Sequence, residues 1–381
     1  VGGGTGADAT SRIFSFVTKD PTPSASPTLA VYGDLGDANS RSIPRLIDEV
    51  KSGSIDAVLH VGDMAYDLWS NGGQVAQAFM RDIEAVAANV SYFTVIGNHE
   101  SGTDFASSLH HYVRRFGATL PNRGMYYSWD YGSVHFVAFS SEAYFWQLWD
   151  VEEQYAWLKK DLESVDRDKT PFVVTMAHRP MYCSNQDHDD CTKVDSNMRL
   201  GIPLFSARLF PLEKLFREHR VDLAFWAHEH SYERSFPVFN NTVMNGTSSP
   251  GDPYTDPGAT VHIVTGAAGC RENIDQYAGP RGPWSAKRVS QYGYGRLHIA
   301  NRTHLHWEQV EDAGGSVVDQ LWLVKTTGAG KQPDSTERDD DPETRARQQQ
   351  EVWRQTAPCA NKHARLPECA MQREDAIRID N

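Results

Sequence analysis

The segment Ala57-Val58-Leu59-His60-Val61-Gly62-Asp63-Met64-Ala65-Tyr66 runs five residues of strand composition straight into a glycine, a carboxylate and a phenol. In an open α/β sheet the loops at the carboxyl ends of the strands converge on one crevice, so a buried strand ending in polar groups points to a ligand site. Four other segments have the same build. Leu29 to Tyr32 leads to Gly33-Asp34-Leu35-Gly36, and Tyr92 to Ile96 leads to Gly97-Asn98-His99-Glu100. Phe172 to Met176 leads to His178, and Val221 to Trp226 leads to His228-Glu229-His230. Between these strands Ile43 to Val50, Val75 to Ala88, Tyr155 to Val165 and Leu212 to His219 carry apolar residues at helical spacing. The alternation predicts a layered α/β domain. Met125 to Trp129 and His135 to Phe139, joined through Asp130 to Ser133, predict a hairpin, with closing strands at Leu297 to Ile299, His304 to Trp307 and Leu321 to Val324.

Composition narrows the class. At 381 residues, 40% hydrophobic and 11% aromatic, the chain can bury a large core and is not disordered by composition. A formal charge of −13 argues against nucleic acid as partner, since phosphate backbones are held by clustered Lys and Arg. No apolar run approaches the roughly 18 residues of a membrane span. Residues 1–20 end in the strand-like Ile13 to Val17, 21–27 read as a Pro-rich linker, 28–325 as the main domain, and 326–381 as a polar tail.

Five donor-bearing strand ends imply one site with mixed carboxylate, phenol, amide and imidazole donors: Asp34, Asp63, Tyr66, Asn98, His178, His228 and His230. Glycines before Asp34, Asp63 and Asn98 are expected to allow the sharp turns that aim the following side chains inward. His228 and His230, two apart, are expected on one strand facing one way. Taken singly, each element also fits a blander account, such as an ordinary Gly-Asp turn, a core tyrosine or a buried histidine. Oxygen donors with His suit a trivalent iron and a divalent partner, whereas structural zinc sites favour Cys, and seven ligands are too many for one ion.

These residues resemble the five motifs of the purple acid phosphatases: Asp34 in GDLG, Asp63 and Tyr66 in GDMAY, Asn98 in GNHE, His178 in TMAH, and His228 and His230 in AHEHSYER. The similarity runs from about Thr28 to Lys325 and is greatest to long, animal-type members. Thr175 stands where the family has Val, and Ala227 where it has Gly. The resemblance implies a four-layer αββα metallophosphoesterase sandwich, two central sheets flanked by helices, and makes Ile13 to Val17 the last strand of a preceding fibronectin-III-like β-sandwich. It further implies Fe(III) on Asp34, Tyr66 and His230, a divalent Zn, Mn or Fe(II) on Asn98, His178 and His228, and Asp63 bridging the two. The expected reaction is hydrolysis of small phosphate monoesters by a hydroxide activated on Fe(III). His99 is the candidate leaving-group acid, its other role being to orient the Asn98 loop, and His188 a candidate substrate-side residue. A phosphodiesterase or nucleotide pyrophosphatase on the same fold, or an inactive phosphate- or iron-binding glycoprotein, are the alternatives.

Sequons at Asn89, Asn240, Asn245 and Asn301 and two short-loop cysteine pairs, Cys183 with Cys191 and Cys359 with Cys369, favour an oxidising compartment, secreted or lysosomal and vacuolar. Four reduced thiols are the other reading. Cys270 is left unassigned. With three of the fifteen histidines bound to metal, charging the other twelve in acid would bring −13 to −1.

Overall fold

A computed structural model describes residues 24–326 apart from 102–104, 147, 186–188, 206, 247–251 and 278, together with 14–16, 18 and 22. The Cys359 and Cys369 pair, the tail, His188, and Ile13 and Val17 of the expected leading strand lie outside the described residues; Phe14 to Phe16 of that strand are described, exposed and not in a strand. Thirteen strands build two sheets. They are β1 (Thr28–Tyr32), β2 (Ala57–His60), β3 (Ser91–Thr94), β4 (Tyr127–Tyr131), β5 (Val134–Ala138), β6 (Phe172–Met176), β7 (Leu223–Trp226), β8 (Tyr232–Ser235), β9 (Val261–Thr265), β10 (Ser285–Val289), β11 (Gly293–Asn301), β12 (His304–Glu311) and β13 (Val317–Val324). The six-stranded sheet has the order β13-β12-β11-β1-β2-β3 and the seven-stranded sheet β10-β8-β9-β7-β6-β5-β4. Two short hairpins, 202–209 and 238–243, lie apart.

The sheets pack face to face. Alternate residues of each strand point to opposite faces, so Leu29 and Val31 of β1 meet Val174 and Met176 of β6, Phe225 of β7 and Ile263 of β9 in a core that also holds Trp307. The other faces carry helices. Helices α1 (Ile43–Ser52) and α2 (Ser70–Asp82) cover the six-stranded sheet through Leu46, Val50, Ala76 and Phe79. Helices α3 (Leu148–Ser164) and α4 (Leu212–Glu218) cover the seven-stranded sheet through Val151, Leu158, Leu215 and Phe216. This is the four-layer αββα sandwich that the resemblance implied.

The pairing places the site. β1, β2 and β3 run parallel, with Val31 opposite Leu59 and Leu59 opposite Phe93, so their carboxyl ends lie side by side. β5, β6, β7 and β9 are likewise parallel in the second sheet. The expected hairpin forms as β4 and β5, closed by the two-residue turn Gly132-Ser133. The helical stretch expected over 75–88 divides at Ile83 into α2 and the short helix Glu84–Ala87.

Thr175, on the helix-facing side of β6, is fully buried with no hydrogen-bond partner for its Oγ1. A buried unpaired hydroxyl costs on the order of 1 kcal/mol or more. Thr175→Val, the residue the family carries there, is expected to stabilise the fold by about 1 kcal/mol. Urea unfolding should show a higher midpoint at unchanged slope; a midpoint at or below wild type would mean that the hydroxyl is satisfied.

Candidate metal centre

All seven expected donors meet where the carboxyl ends of the two sheets abut. They form two groups. In the first, the Tyr66 hydroxyl lies 3.1 Å from Asp34 Oδ1 and 2.7 Å from His230 Nε2, which is itself 3.4 Å from Asp34 Oδ1. In the second, His178 Nε2 lies 3.1 Å from Asn98 Oδ1, 3.1 Å from Asp63 Oδ2 and 3.2 Å from His228 Nδ1. Asp63, His178 and His228 thus present ligand atoms to a common point. Ligands at about 2.1 Å from one ion and at right angles to each other are about 3 Å apart, so the spacing within each group suits a metal.

Local backbone strain aims these side chains. Asp34 (φ 55°), Asp63 (φ 48°), Tyr66 (φ 58°) and His228 (φ 71°) all occupy the left-handed region, which is unfavourable for residues with a Cβ and clusters at functional sites. The expectation that the preceding glycines make the turns is therefore corrected for two of the three. Only Gly62 has positive φ; Gly33 and Gly97 serve close approach, since a Cβ would lie 2.3 Å from Ala227 Cβ at the first and 2.1 Å from Asp63 Oδ1 at the second. The placement of His228 and His230 on one strand is also corrected. Both lie in the turn after β7, and the positive φ of His228 sends the two rings to different groups.

Hydrogen bonds hold the strained turns. Glu100, fully buried, accepts from the backbone N–H groups of Asp63, Met64 and Gly97 at 2.9 Å each and so ties the β2 and β3 loops together. Burial, with the Asp63 charge nearby, pushes Glu100 up to about 7. Asp34 Oδ2 accepts the His228 N–H at 2.8 Å, and Asp275 Oδ2 accepts that of His230 at 2.6 Å. The expected disulfide joins Cys183 to Cys191 across the loop that carries Asp189.

Each histidine has an outer partner. His178 Nδ1 sits 2.9 Å from the Val61 carbonyl. His228 Nε2 sits 2.5 Å from Asp189 Oδ2 and 2.8 Å from Arg179 Nη1, and Arg179 in turn ties Asp189 to Glu142. The bond with His228 holds Asp189 well below the usual carboxylate range. His230 Nδ1 lies 3.3 Å from Cys270 Sγ. His99 bonds Asp67 through Nδ1 at 2.9 Å and packs over the Tyr66 ring at 4.4 Å. Burial disfavours its charge, but Asp63 and Asp67 override this and raise its pKa.

Sequence reading missed Asp189, Arg179, Asp275, the holding role of Glu100 and a sixth strand end, β9, whose continuation brings Cys270, Arg271 and Glu272 to the rim. The run Val261-His262-Ile263-Val264-Thr265 followed by Gly266 was the available signal for that strand. A cavity of about 490 Å³ at the opposite ends of β2 and β3, lined by Asp56, Asn89, Phe93, Trp129 and Tyr131 among others, holds none of the donors.

Two sheets in an αββα sandwich with five of their strands ending at paired donor groups define a dinuclear metallophosphoesterase. Comparison with known proteins agrees. Residues 27–232 match the calcineurin-like phosphoesterase family, and residues 259–320 match iron/zinc purple acid phosphatase-like protein C. The chain is 46% identical to human (Homo sapiens) acid phosphatase type 7 over 84% of its own length and 72% of the relative's. It is 30% identical to purple acid phosphatase 22 of Arabidopsis thaliana over 86% of itself and 70% of that protein. The solved purple acid phosphatase PPD1 from yellow lupin (Lupinus luteus) seeds superposes with a TM-score of 0.67 at 25% identity, covering 82% of this chain and 56% of the lupin chain. The chain belongs to the purple acid phosphatase family, and that membership implies a dinuclear centre that includes iron.

The electrostatics fit such a centre. Burial opposes charge on the His178 ring, yet Asp63 and Asp34 push it up to about 10; burial likewise opposes charge on His230, and Asp34 with Cys270 pushes it up to about 12. The neighbouring carboxylates thus hold both rings toward their protonated form. Metal ligation needs neutral rings, so loading must expel those protons. Zn²⁺ titrated into metal-free protein at pH 6 is expected to release protons, visible as a buffer-dependent heat, and to bind more weakly as pH falls; binding with no proton release would contradict the ligand set. Asp189→Asn is expected to weaken retention of one ion by about 10- to 100-fold against a chelator while the other stays, checked by metal analysis.

Proposed function

We propose that the chain is an acid phosphatase that hydrolyses phosphate monoesters, with residues 28–325 as its catalytic unit and Fe(III) with a divalent Zn, Mn or Fe(II) as its metals. The observation that carries the reading is the pair of donor groups described above, one of them containing a phenol. Asp34, Tyr66 and His230 would hold the iron, Asn98, His178 and His228 the divalent ion, and Asp63 would bridge. When bound, the ion pair supplies Lewis-acid polarisation of a phosphoryl oxygen and a water of lowered pKa for in-line attack. Tyr66 brings a hard anionic oxygen, which suits a trivalent ion.

The chain's own groups do the rest. His99 is the proton donor to the leaving oxygen in this reading. Asp67 fixes its Nδ1, so Nε2 is the atom left toward the crevice, 3.9 Å from Asp63 Oδ2 and 3.9 Å from Glu272 Oε1. Arg271, bonded to Asp67 Oδ2 at 2.7 Å and lying over the Tyr66 ring, places a cation at the same rim. The disulfide supports an oxidising compartment, secreted or lysosomal and vacuolar. Asn89, Asn245 and Asn301 are exposed, which supports glycans there, and Asn240 is half-buried.

A nitrophenyl monoester should be hydrolysed much faster than the corresponding bis-nitrophenyl diester, and the purified protein should contain iron and absorb in the visible. The reverse preference would favour the diesterase. Tyr66→Phe should abolish the visible band. His99→Ala should lower turnover about 100-fold or more at unchanged metal content; loss of iron instead would make His99 a support for the Asn98 loop.

A further inference from the structure

The buried thiol of Cys270 has no role in the chemistry above. We propose that Cys270 is a positioning residue for the iron-side histidine: its sulfur accepts the Nδ1 proton of His230 and sets how strongly that ring donates through Nε2. The proposal rests on the reading of His230 as a ligand.

A neutral imidazole that binds through one nitrogen carries its proton on the other, and the acceptor of that proton fixes the ring's orientation and basicity. The three histidines of this centre have three different acceptors. His178 faces a backbone carbonyl, His228 a carboxylate and His230 a sulfur. His230 Nε2 is turned to Tyr66 and Asp34, and the sulfur lies nearer Nδ1, at 3.3 Å, than Nε2, at 3.9 Å.

The thiol is held there by a cradle. Cys270 is fully buried and has φ 66°, a strained conformation for a residue with a Cβ. Its N–H donates to the Leu35 carbonyl at 2.9 Å, and its carbonyl accepts from Asn39 Nδ2 at 2.7 Å. Gly36, itself at φ 73°, admits the Cys270 backbone, because a Cβ at 36 would lie 3.1 Å from Cys270 Cα. The loop that supplies Asp34 thus fixes the sulfur that supports His230, coupling two donors of one group through a residue that is not a donor.

Sulfur is a weak, polarisable acceptor compared with a carboxylate. It therefore draws the Nδ1 proton of His230 less than Asp189 draws the Nε2 proton of His228, which would leave His230 the poorer donor. An iron held there would be the more electron-poor, which would lower the energy of charge transfer from a Tyr66 phenolate.

Cys270→Ala and Cys270→Ser, compared with wild type, test this by metal analysis and the visible spectrum. Cys270→Ala should retain iron about 10- to 100-fold less tightly while the divalent ion is kept, with the band weakened and displaced. Cys270→Ser, which keeps an acceptor, should recover most of the iron and displace the band to shorter wavelength. Iron retention and band position equal to wild type in both variants would overturn the proposal, and so would an unchanged band in Cys270→Ser if Cys270→Ala fails to fold. A wild-type protein with no iron and no band would instead remove the ligand reading on which the proposal stands.

Discussion

Two carboxylates, Asp34 and Asp63, lie almost wholly out of solvent at the carboxyl ends of two stacked sheets, and the need to offset their charge governs what surrounds them. Isolated buried ions are too costly to persist unpaired. The surroundings answer with backbone N–H groups at Asp34 Oδ2 and Asp63 Oδ1 and with imidazoles pressed toward protonation. Among the described residues, the ion pairs of Asp34 and Asp63 are with histidines rather than with lysine or arginine.

That constraint explains why the neighbourhood is built as it is. Donors must arrive from five strand ends in two sheets within hydrogen-bond distance of one another, which ordinary turns do not allow. Left-handed backbone at Asp34, Asp63, Tyr66 and His228 costs on the order of 1–3 kcal/mol each. Glu100 and Asp275 offset part of this by accepting backbone N–H groups from the same turns. Gly33 and Gly97 let the loops touch where any side chain would collide.

Much of this was legible in the sequence. The strands that lead to ligands are short apolar runs closed by Gly-Asp, Gly-Asn or His; for β1, β2, β6 and β7 that signal matches a buried place in the sheets, whereas β3 is an edge strand with only Thr94 buried. β8, β9 and β10 were not anticipated. Glu233, Arg234, Lys287 and Arg288 break the apolar pattern of β8 and β10, and pairing across the sheet rather than composition makes them strands. Outer partners escaped for a related reason. Asp189 touches His228 across 39 residues and Cys270 touches His230 across 40, and no local pattern records such a contact. The period-two reading of His228 and His230 failed because one left-handed residue reverses which way a side chain points.

The strand order has a further consequence, for biosynthesis. β1 sits between β2 and β11, so the first strand of the domain is flanked on one side by residues 293–301. Until that stretch leaves the ribosome, β1 has an open edge, and until residues 265–270 do, the Asp34 loop lacks its bonds to Thr265, Ala268 and Cys270. Parallel pairing within each sheet adds further non-local contacts, which slow folding and prolong exposure of apolar surface. The chain therefore completes the sheet around its metal-binding loops only once residues 293–301 have been made, a delay set by topology rather than by the composition of any one segment.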